Sequence, residues 1–251
     1  MQQLRVPSML AGTRCILKAR RWRAWPPDAA QASNETAVAE ALQKTAREQL
    51  KRSRQLISQG NYREATTPLS RAASLDPSLI EARILLATIF DLQGMSERAA
   101  YYYKDVIDRR QHINDREAAL ALNNRGYSLC LTGEYKEAKK LISQAVELDS
   151  TNARFLNNLG VVNYRLNKHK DAAQAFAKVG GELQGNVNVA ILFEQDGRFS
   201  EAIKYYERAR RINPSSELVL QRLQILHDRG ARQMAKSEIS SGYLIPSRPK
   251  R

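Results

Sequence analysis

Cysteine and histidine side chains are the residues best suited to metal or nucleophilic chemistry, and in this chain they are scattered. There are two cysteines, Cys15 and Cys130, and three histidines, His112, His169 and His227. A zinc site or a disulfide framework needs more ligands at tighter spacing. We therefore interpret both cysteines as free thiols and predict neither a metal site nor a cofactor.

Motifs that place catalytic groups around a substrate are also absent from the sequence. It has no glycine-rich phosphate loop, no His-Glu-x-x-His pair and no nucleophile elbow. Its recurring carboxylates, Glu64, Glu137 and Glu201, occupy an outward turn position where solvated helix residues are expected. The sequence predicts a protein that is not an enzyme and takes no small-molecule substrate.

Asparagine is the polar residue whose spacing is most informative. Asn124, Asn158 and Asn188 stand at one position of a repeated pattern. An amide side chain donates and accepts hydrogen bonds at once, which suits a groove that holds the main chain of an extended peptide. The same amides would also serve to bond neighbouring helices and hold them in register. The residues leave both interpretations open.

A helix–turn–helix pattern recurs five times, at 59–65, 93–99, 131–138, 166–172 and 196–202. In each copy Gly or Asn ends the first helix, because these residues accept the left-handed conformation at low cost. An alanine then lets the second helix approach closely, and bulky residues follow at helical spacing. The alanines are Ala65, Ala99, Ala138, Ala172 and Ala202. The bulky residues are Leu69, Tyr103, Ile142, Phe176 and Tyr206, and the same face closes with Ala72, Val106, Ala145, Val179 and Ala209.

This pattern resembles the tetratricopeptide repeat (TPR) over roughly residues 46–216. The resemblance implies an all-α fold, a right-handed superhelix (α-solenoid) of antiparallel helix pairs with a C-terminal capping helix. Two departures stand out: residues 114–118 are inserted between repeats two and three, and repeat four is short near Gly181, where we expect a bend. The implied segments are a basic, largely disordered leader (1–45), five repeats (46–79, 80–113, 119–152, 153–182 and 183–216), a capping helix (217–230) and a basic flexible tail (231–251).

The TPR resemblance also implies a function. First helices of such repeats line a concave side, so we expect a protein–protein interaction scaffold that binds a peptide segment or helix of another protein. The two-carboxylate clamp of some family members is not expected, because Leu85 and Thr88 stand where it needs basic and Asn residues. The predicted groove residues are Asn123, Asn124, Tyr127, Arg154, Asn157, Asn158, Val161, Tyr164, Arg165, Asn188 and Ile191.

Repeats three to five are similar to the TPR proteins of bacterial Tad (Flp-type) pilus assembly and secretion systems. The likeness rests on Ala-Leu-Asn-Asn-Arg-Gly-Tyr-Ser-Leu at 121–129 and on the stretch from Phe-Ala-Lys-Val-Gly-Gly-Glu (176–182) to Asn-Val-Ala-Ile-Leu-Phe-Glu-Gln-Asp-Gly-Arg-Phe (188–199). Those proteins are typically envelope lipoproteins, but Thr13 and Arg14 interrupt a lipid box before Cys15. The expected location is the bacterial cytoplasm or cell envelope.

The charge distribution supports alternatives. The formal net charge is +14, with seven Lys/Arg against three Asp/Glu in residues 1–45 and five against one in 231–251. Basic ends attract phosphates and anionic lipid, so an RNA- or membrane-associated helical-repeat protein acting through its ends is one alternative. The arginine-rich, acid-poor leader also resembles a mitochondrial presequence, which would make the chain a mitochondrial TPR adaptor.

Overall fold

The computed structural model describes the backbone of residues 29–242 and the side chains of residues 34–229. The chain divides into two compact units, Met1–Ala41 and Leu42–Arg251. All regular structure in the described part is helical, with one 3-10 turn at Arg110–His112. The α-helices are α1 (Ala29–Ser58), α2 (Tyr62–Leu75), α3 (Ile80–Leu92), α4 (Ser96–Asp108), α5 (Asp115–Leu131), α6 (Tyr135–Leu148), α7 (Ala153–Arg165), α8 (His169–Gln195), α9 (Phe199–Ile212) and α10 (Glu217–Gly242).

The second compact unit is a stack of helix pairs. From α2 to α10 each helix packs against the next one in the chain, and α3 also contacts α5 as α5 contacts α7. The turn inside each pair contains one residue with a positive φ angle, as the sequence predicted. These residues are Gly60 (80°), Gly94 (73°), Gly133 (89°), Asn167 (59°) and Gly197 (72°). None of the described helices combines the length and apolar character that crossing a membrane requires.

The repeated alanine and bulky positions form the core, which confirms their predicted role. All five alanines are 0% exposed, and the five bulky residues are between 0% and 4% exposed. Val179 is an exception, since its side chain is 42% exposed. The reason is Gly181, which has a φ of 80° and a ψ of 172° and so interrupts α8. The helix changes direction there, before the predicted buried face of the second helix is complete. The bend predicted in repeat four therefore occurs at this glycine.

The insertion at 114–118 lengthens a helix. Asn114 caps α5: its Oδ1 accepts from the backbone N–H of Glu117 at 2.9 Å, and the Glu117 carboxylate accepts in return from the backbone N–H of Asn114. Because this capping box starts the helix early, α5 has 17 residues where α3 and α7 have 13. The insertion thus carries extra side chains beside α3.

The helices at both ends are longer than the sequence predicted. The predicted leader ran to residue 45, but α1 begins at Ala29, in a stretch rich in the helix formers Ala, Glu, Gln and Lys. At the other end α10 continues to Gly242, past the predicted end of the capping helix at residue 230. The leader as far as residue 28, with Cys15, and the tail from residue 243 lie outside the described residues. The limits of the individual repeats stay predictions.

Candidate peptide-binding groove

Two adjoining cavities lie along the first helices α3, α5 and α7. They share Thr88, Asn124 and Arg154, and together we name them the groove. The larger, of about 540 Å³, is also lined by Arg54 and Arg116, and we name it the arginine cavity. It extends from the end of α1 to the start of α7, across the residues of the insertion.

The smaller cavity has an apolar rim. It measures about 340 Å³ and is lined by Leu92 and Leu131, so we name it the leucine cavity. Leu92, Tyr127 and Leu131 are 64%, 46% and 68% exposed, whereas Asp91 and Tyr103 stand deeper in the same cavity. A cavity with an apolar rim and a few polar groups below is the usual form of a site that holds a side chain of a partner.

Asparagine side chains link the three first helices. Asn124 Nδ2 on α5 donates to Thr88 Oγ1 on α3 at 3.3 Å, and Asn158 Nδ2 on α7 donates to Asn123 Oδ1 on α5 at 2.9 Å. Asn123 Nδ2 and Arg154 Nη2 both donate to Asn124 Oδ1 at 3.1 Å. These bonds join neighbouring repeats, so the amides do hold the helices in register.

Some hydrogen-bonding groups of the same network remain open to the groove. Asn124 and Asn158 are only half-buried, and Asn158 Oδ1 makes no hydrogen bond within the described residues. Tyr127 is exposed beside them. The register role and the binding role are compatible for Asn158, because its Nδ2 fixes the helices while its Oδ1 remains open to a main chain. Asn124 Oδ1 already accepts two hydrogen bonds, so Asn124 keeps only the second N–H of its Nδ2 for a partner.

The predicted groove residues divide into two sets. Asn123, Asn124, Tyr127, Arg154 and Asn158 line the two cavities, although Asn123 is only 1% exposed and holds its neighbours in place. The other predicted residues line neither cavity and are Asn157, Val161, Tyr164, Arg165, Asn188 and Ile191.

Internal contacts occupy most members of the second set. Tyr164 is 3% exposed, and its hydroxyl donates to Asp196 Oδ2 at 2.8 Å. Arg165 forms an ion pair with the same carboxylate at 3.0 Å. Asn188 Oδ1 accepts from Gln184 Nε2 on its own helix at 2.7 Å, so it does not continue an asparagine ladder. Val161 and Ile191 pack against the core, whereas Asn157 is exposed. We leave all six out of the proposed groove.

Sequence reasoning missed the contribution of α3 and of the insertion. Asp91 and Leu92 end the first helix of repeat two, where the sequence gives no asparagine to draw attention. Arg116 belongs to the insertion, which has no equivalent in the other repeats. The insertion itself, at 114–118, was the available signal, because it departs from the repeat length.

The carboxylate of Asp91, in the leucine cavity, has a shifted pKa. Burial raises its pKa above the ordinary value of 3.8, although hydrogen bonds from Ser128 and Tyr103 and the charge of Arg125 oppose the shift. Ser128 Oγ donates to Asp91 Oδ1 at 2.8 Å. Part of the protein's stability is therefore linked to the protonation of this carboxyl.

Replacing Asp91 by asparagine should change the pH dependence of stability. Because its pKa is raised, the folded chain binds the proton more tightly than the unfolded chain does. Asp91 thus adds to the free energy of unfolding below pH 3.8, and this contribution is lost as the pH rises through the folded-state pKa. In urea titrations, the free energy of unfolding of D91N relative to wild type should be higher at about pH 7 than at about pH 3.

Asp149 provides a control of opposite sign. Hydrogen bonds from Asn152 and Thr151 lower its pKa, so its contribution is present at neutral pH and is lost as the pH falls through the folded-state pKa. Relative to wild type, D149N should be less stable at about pH 7 than at about pH 3. A D91N curve that follows the D149N curve would contradict the assignment of Asp91.

The surroundings of the metal-ligating and nucleophilic side chains determine what other chemistry they can do. Within the described side chains, no three His, Cys, Asp or Glu residues gather as a metal site would require. Cys130 is a buried free thiol whose pKa is raised by burial, which makes it a poor nucleophile. What the groove offers is an array of amides, guanidinium groups and apolar side chains.

Comparison with known proteins identifies the architecture. Two tetratricopeptide-repeat family models match residues 125–187 and 187–218. The type IV pilus assembly protein PilF of Pseudomonas aeruginosa is 27% identical over 157 residues, 60% of each chain. The TPR repeat-containing protein MJ1428 of Methanocaldococcus jannaschii is 24% identical over 193 residues, 72% of this chain. The chain thus spans 60% of the length of PilF and 34% of the length of MJ1428.

Solved structures agree on the fold. A structure of Pseudomonas aeruginosa PilF superimposes with a TM-score of 0.54 at 20% identity, covering 81% of this chain and 94% of the other. MamA of Desulfovibrio magneticus gives 0.53 at 16% identity, covering 69% and 97%. The helix pairs therefore form an α-solenoid. Residues 125–218 of the chain match the tetratricopeptide-repeat family.

Proposed function

We propose that this protein is a non-enzymatic scaffold that binds an extended peptide segment of another protein in the groove of α3, α5 and α7. The tetratricopeptide-repeat fold is typically an interaction scaffold. The observation that carries the proposal is the pair of adjoining cavities on neighbouring first helices, where Asn124 and Asn158 face the open side next to the exposed Tyr127.

We propose further that the partner belongs to a bacterial pilus assembly or secretion machine. Support comes from the similarity of repeats three to five to TPR proteins of pilus systems, and from a relative described as a type IV pilus assembly protein. The alignment covers 60% of that relative, which is enough to include a run of several repeats.

Replacing Asn124 and Asn158 together by alanine should weaken partner binding about thirtyfold. Each lost amide removes a hydrogen bond worth about 1 kcal/mol to a main chain. The measurement is affinity capture from the native cell with the full chain as bait, with each pilus or secretion component quantified by mass spectrometry. Circular dichroism of both baits should show equal helix content.

Asn157→Ala is the matched control, because Asn157 is exposed on the same helix α7 but lines neither cavity. It should capture the same components as wild type. If N124A/N158A captures them equally well, the binding role of the amides is wrong. If this double variant loses its helix content, the register role alone explains these residues.

A further inference from the structure

Each of the two carboxylates that line the arginine cavity has a partner, but only Glu81 is paired with a charged group. Glu81 forms a two-pronged ion pair with Arg54, in which Arg54 Nε donates to Glu81 Oε1 at 2.8 Å. Glu117 Oε2 accepts from Asn114 Nδ2 at 2.8 Å within the capping box of α5. Glu81 is therefore balanced by Arg54, whereas Glu117 keeps its negative charge.

Two guanidinium groups of the same cavity have no carboxylate partner within the described side chains. Arg116 is exposed and forms no ion pair there, and Arg154 donates only to the neutral amide of Asn124, at 3.1 Å. Three arginines and two carboxylates line the cavity, so its net charge is +1 even with the charge of Glu117 included. A guanidinium group binds a carboxylate through two parallel hydrogen bonds more readily than any neutral group.

Positive charge and apolar surface occupy different parts of the groove. Leu92, Tyr127 and Leu131 on the rim of the leucine cavity are among the most exposed large apolar side chains of the described part. The only charged side chains lining that cavity are Asp91 and the shared Arg154. Thr88 and Asn124, which line both cavities, separate the two regions.

We propose that the groove selects an extended partner segment that carries both an acidic and a bulky apolar side chain. The acidic side chain binds Arg116 and Arg154 in the arginine cavity, and the apolar side chain enters the leucine cavity. Asn124 and Asn158 bond the main chain between them. This inference rests on the proposed function, and it adds the chemistry of the partner.

The insertion gives the chain a selectivity that its repeats alone lack. Arg116 lies in residues 114–118, and the capping box of Asn114 and Glu117 fixes the backbone on either side of it. The other repeats have no equivalent residue. Preference for an acidic segment should therefore depend on the insertion as well as on Arg154.

The test is selection of a random dodecapeptide library displayed on phage against the immobilised full chain. Peptides enriched by wild type over N124A/N158A are groove-dependent, and these should contain Asp or Glu together with Leu, Ile, Phe, Trp or Tyr. One enriched peptide is then synthesised with a fluorescent label. Its affinity should fall about three- to tenfold with R116Q and with R154Q, and should weaken as salt is raised.

Arg211→Gln is the matched control, since Arg211 is exposed on α9 and lines neither cavity. It should bind the labelled peptide as wild type does. A twenty-residue oligouridine competitor, which presents phosphates instead of carboxylates, should not displace the peptide.

Each failure has a separate meaning. If no peptide is enriched over N124A/N158A, the proposed peptide-binding function is wrong. If groove-dependent peptides are enriched without acidic residues, or if R116Q and R154Q bind them unchanged, the acidic partner is wrong while peptide binding stands. Displacement by oligouridine at micromolar concentration would assign the arginines to nucleic acid and overturn this inference.

Discussion

Replacing Gly185 by alanine is expected to lower the free energy of unfolding by about 2–3 kcal/mol. In a helix interior this change is normally stabilising by about 1 kcal/mol, so the expected sign is reversed. The reason is a close approach between the two parts of α8 on either side of the bend at Gly181. A Cβ atom at position 185 would lie 2.4 Å from the backbone oxygen of Ala173 and 3.0 Å from the Cβ of Ala177. A backbone oxygen cannot rotate away, so the two parts of α8 must separate.

Gly126→Ala is the graded control for this prediction. Its added Cβ would meet Cγ1 of Ile142 at 2.6 Å and the backbone oxygen of Ala138 at 3.1 Å. The isoleucine side chain can change rotamer, so a smaller loss is expected. Urea titrations followed by circular dichroism measure both variants, with hydrogen exchange to locate the weakened repeat, because repeat proteins need not unfold in one step. A G185A variant as stable as wild type would contradict the close packing of α8 on itself.

The fold was predictable because the same residue pattern occurs in all five repeats. Five copies place Gly or Asn at the turn, and in all of them that residue takes a positive φ. Five copies place alanine on the second helix, and all are fully buried. Such positions depend on contacts within one helix pair, where sequence spacing determines which side chains meet. Val179 departs from its equivalents because the pair that contains it is interrupted at Gly181.

The groove was predictable only in part, because it depends on how one repeat sits on the next. Equivalent positions suggested a ladder of Asn124, Asn158 and Asn188. Packed helices are separated by about 8–10 Å, so an amide reaches the next helix only if the partner is offset toward it. Asn158 accordingly bonds Asn123 and not Asn124. Such offsets depend on the angle at which one helix pair stacks on the next. The periodicity of the sequence gives no information about that angle.

The insertion shows a second limit. Arg116 has no counterpart in other repeats, so comparing repeats with one another says nothing about its place. The same holds for the cation balance of the arginine cavity, which depends on Glu81 being paired with Arg54 from another helix. Sequence reasoning located the surplus charge at the two ends of the chain, whereas the groove also keeps two guanidinium groups without carboxylate partners among the described residues.

Removing the carboxylate of Asp105 is expected to lower the free energy of unfolding by about 3 kcal/mol. Asp105 is the counter-ion of Arg83, a residue of α3 that is only 8% exposed. Arg83 Nε donates to Asp105 Oδ2 at 2.8 Å, and its Nη2 donates to the backbone oxygen of Ala73 at 3.0 Å. Asp105→Ala leaves a guanidinium group buried without a carboxylate, and an uncompensated buried charge costs far more than an exposed one.

A double variant separates loss of the pair from loss of packing. R83M/D105A replaces the buried charge by an apolar side chain of similar length, so it should be more stable than D105A alone, because no buried charge then remains unpaired. The other partner of Asp105, Arg109 at 3.1 Å, is 40% exposed and is solvated in both variants. Asp108→Ala removes an exposed carboxylate of the same helix, whose partner Lys104 is 75% exposed, and should cost less than about 0.5 kcal/mol. Urea titrations of the four proteins at neutral pH make the comparison. The proposal is wrong if D105A and D108A lower the free energy of unfolding equally, or if the double variant is the least stable of the four proteins. Either result would mean that the buried Arg83–Asp105 pair does not stabilise the packing of α3 against α4.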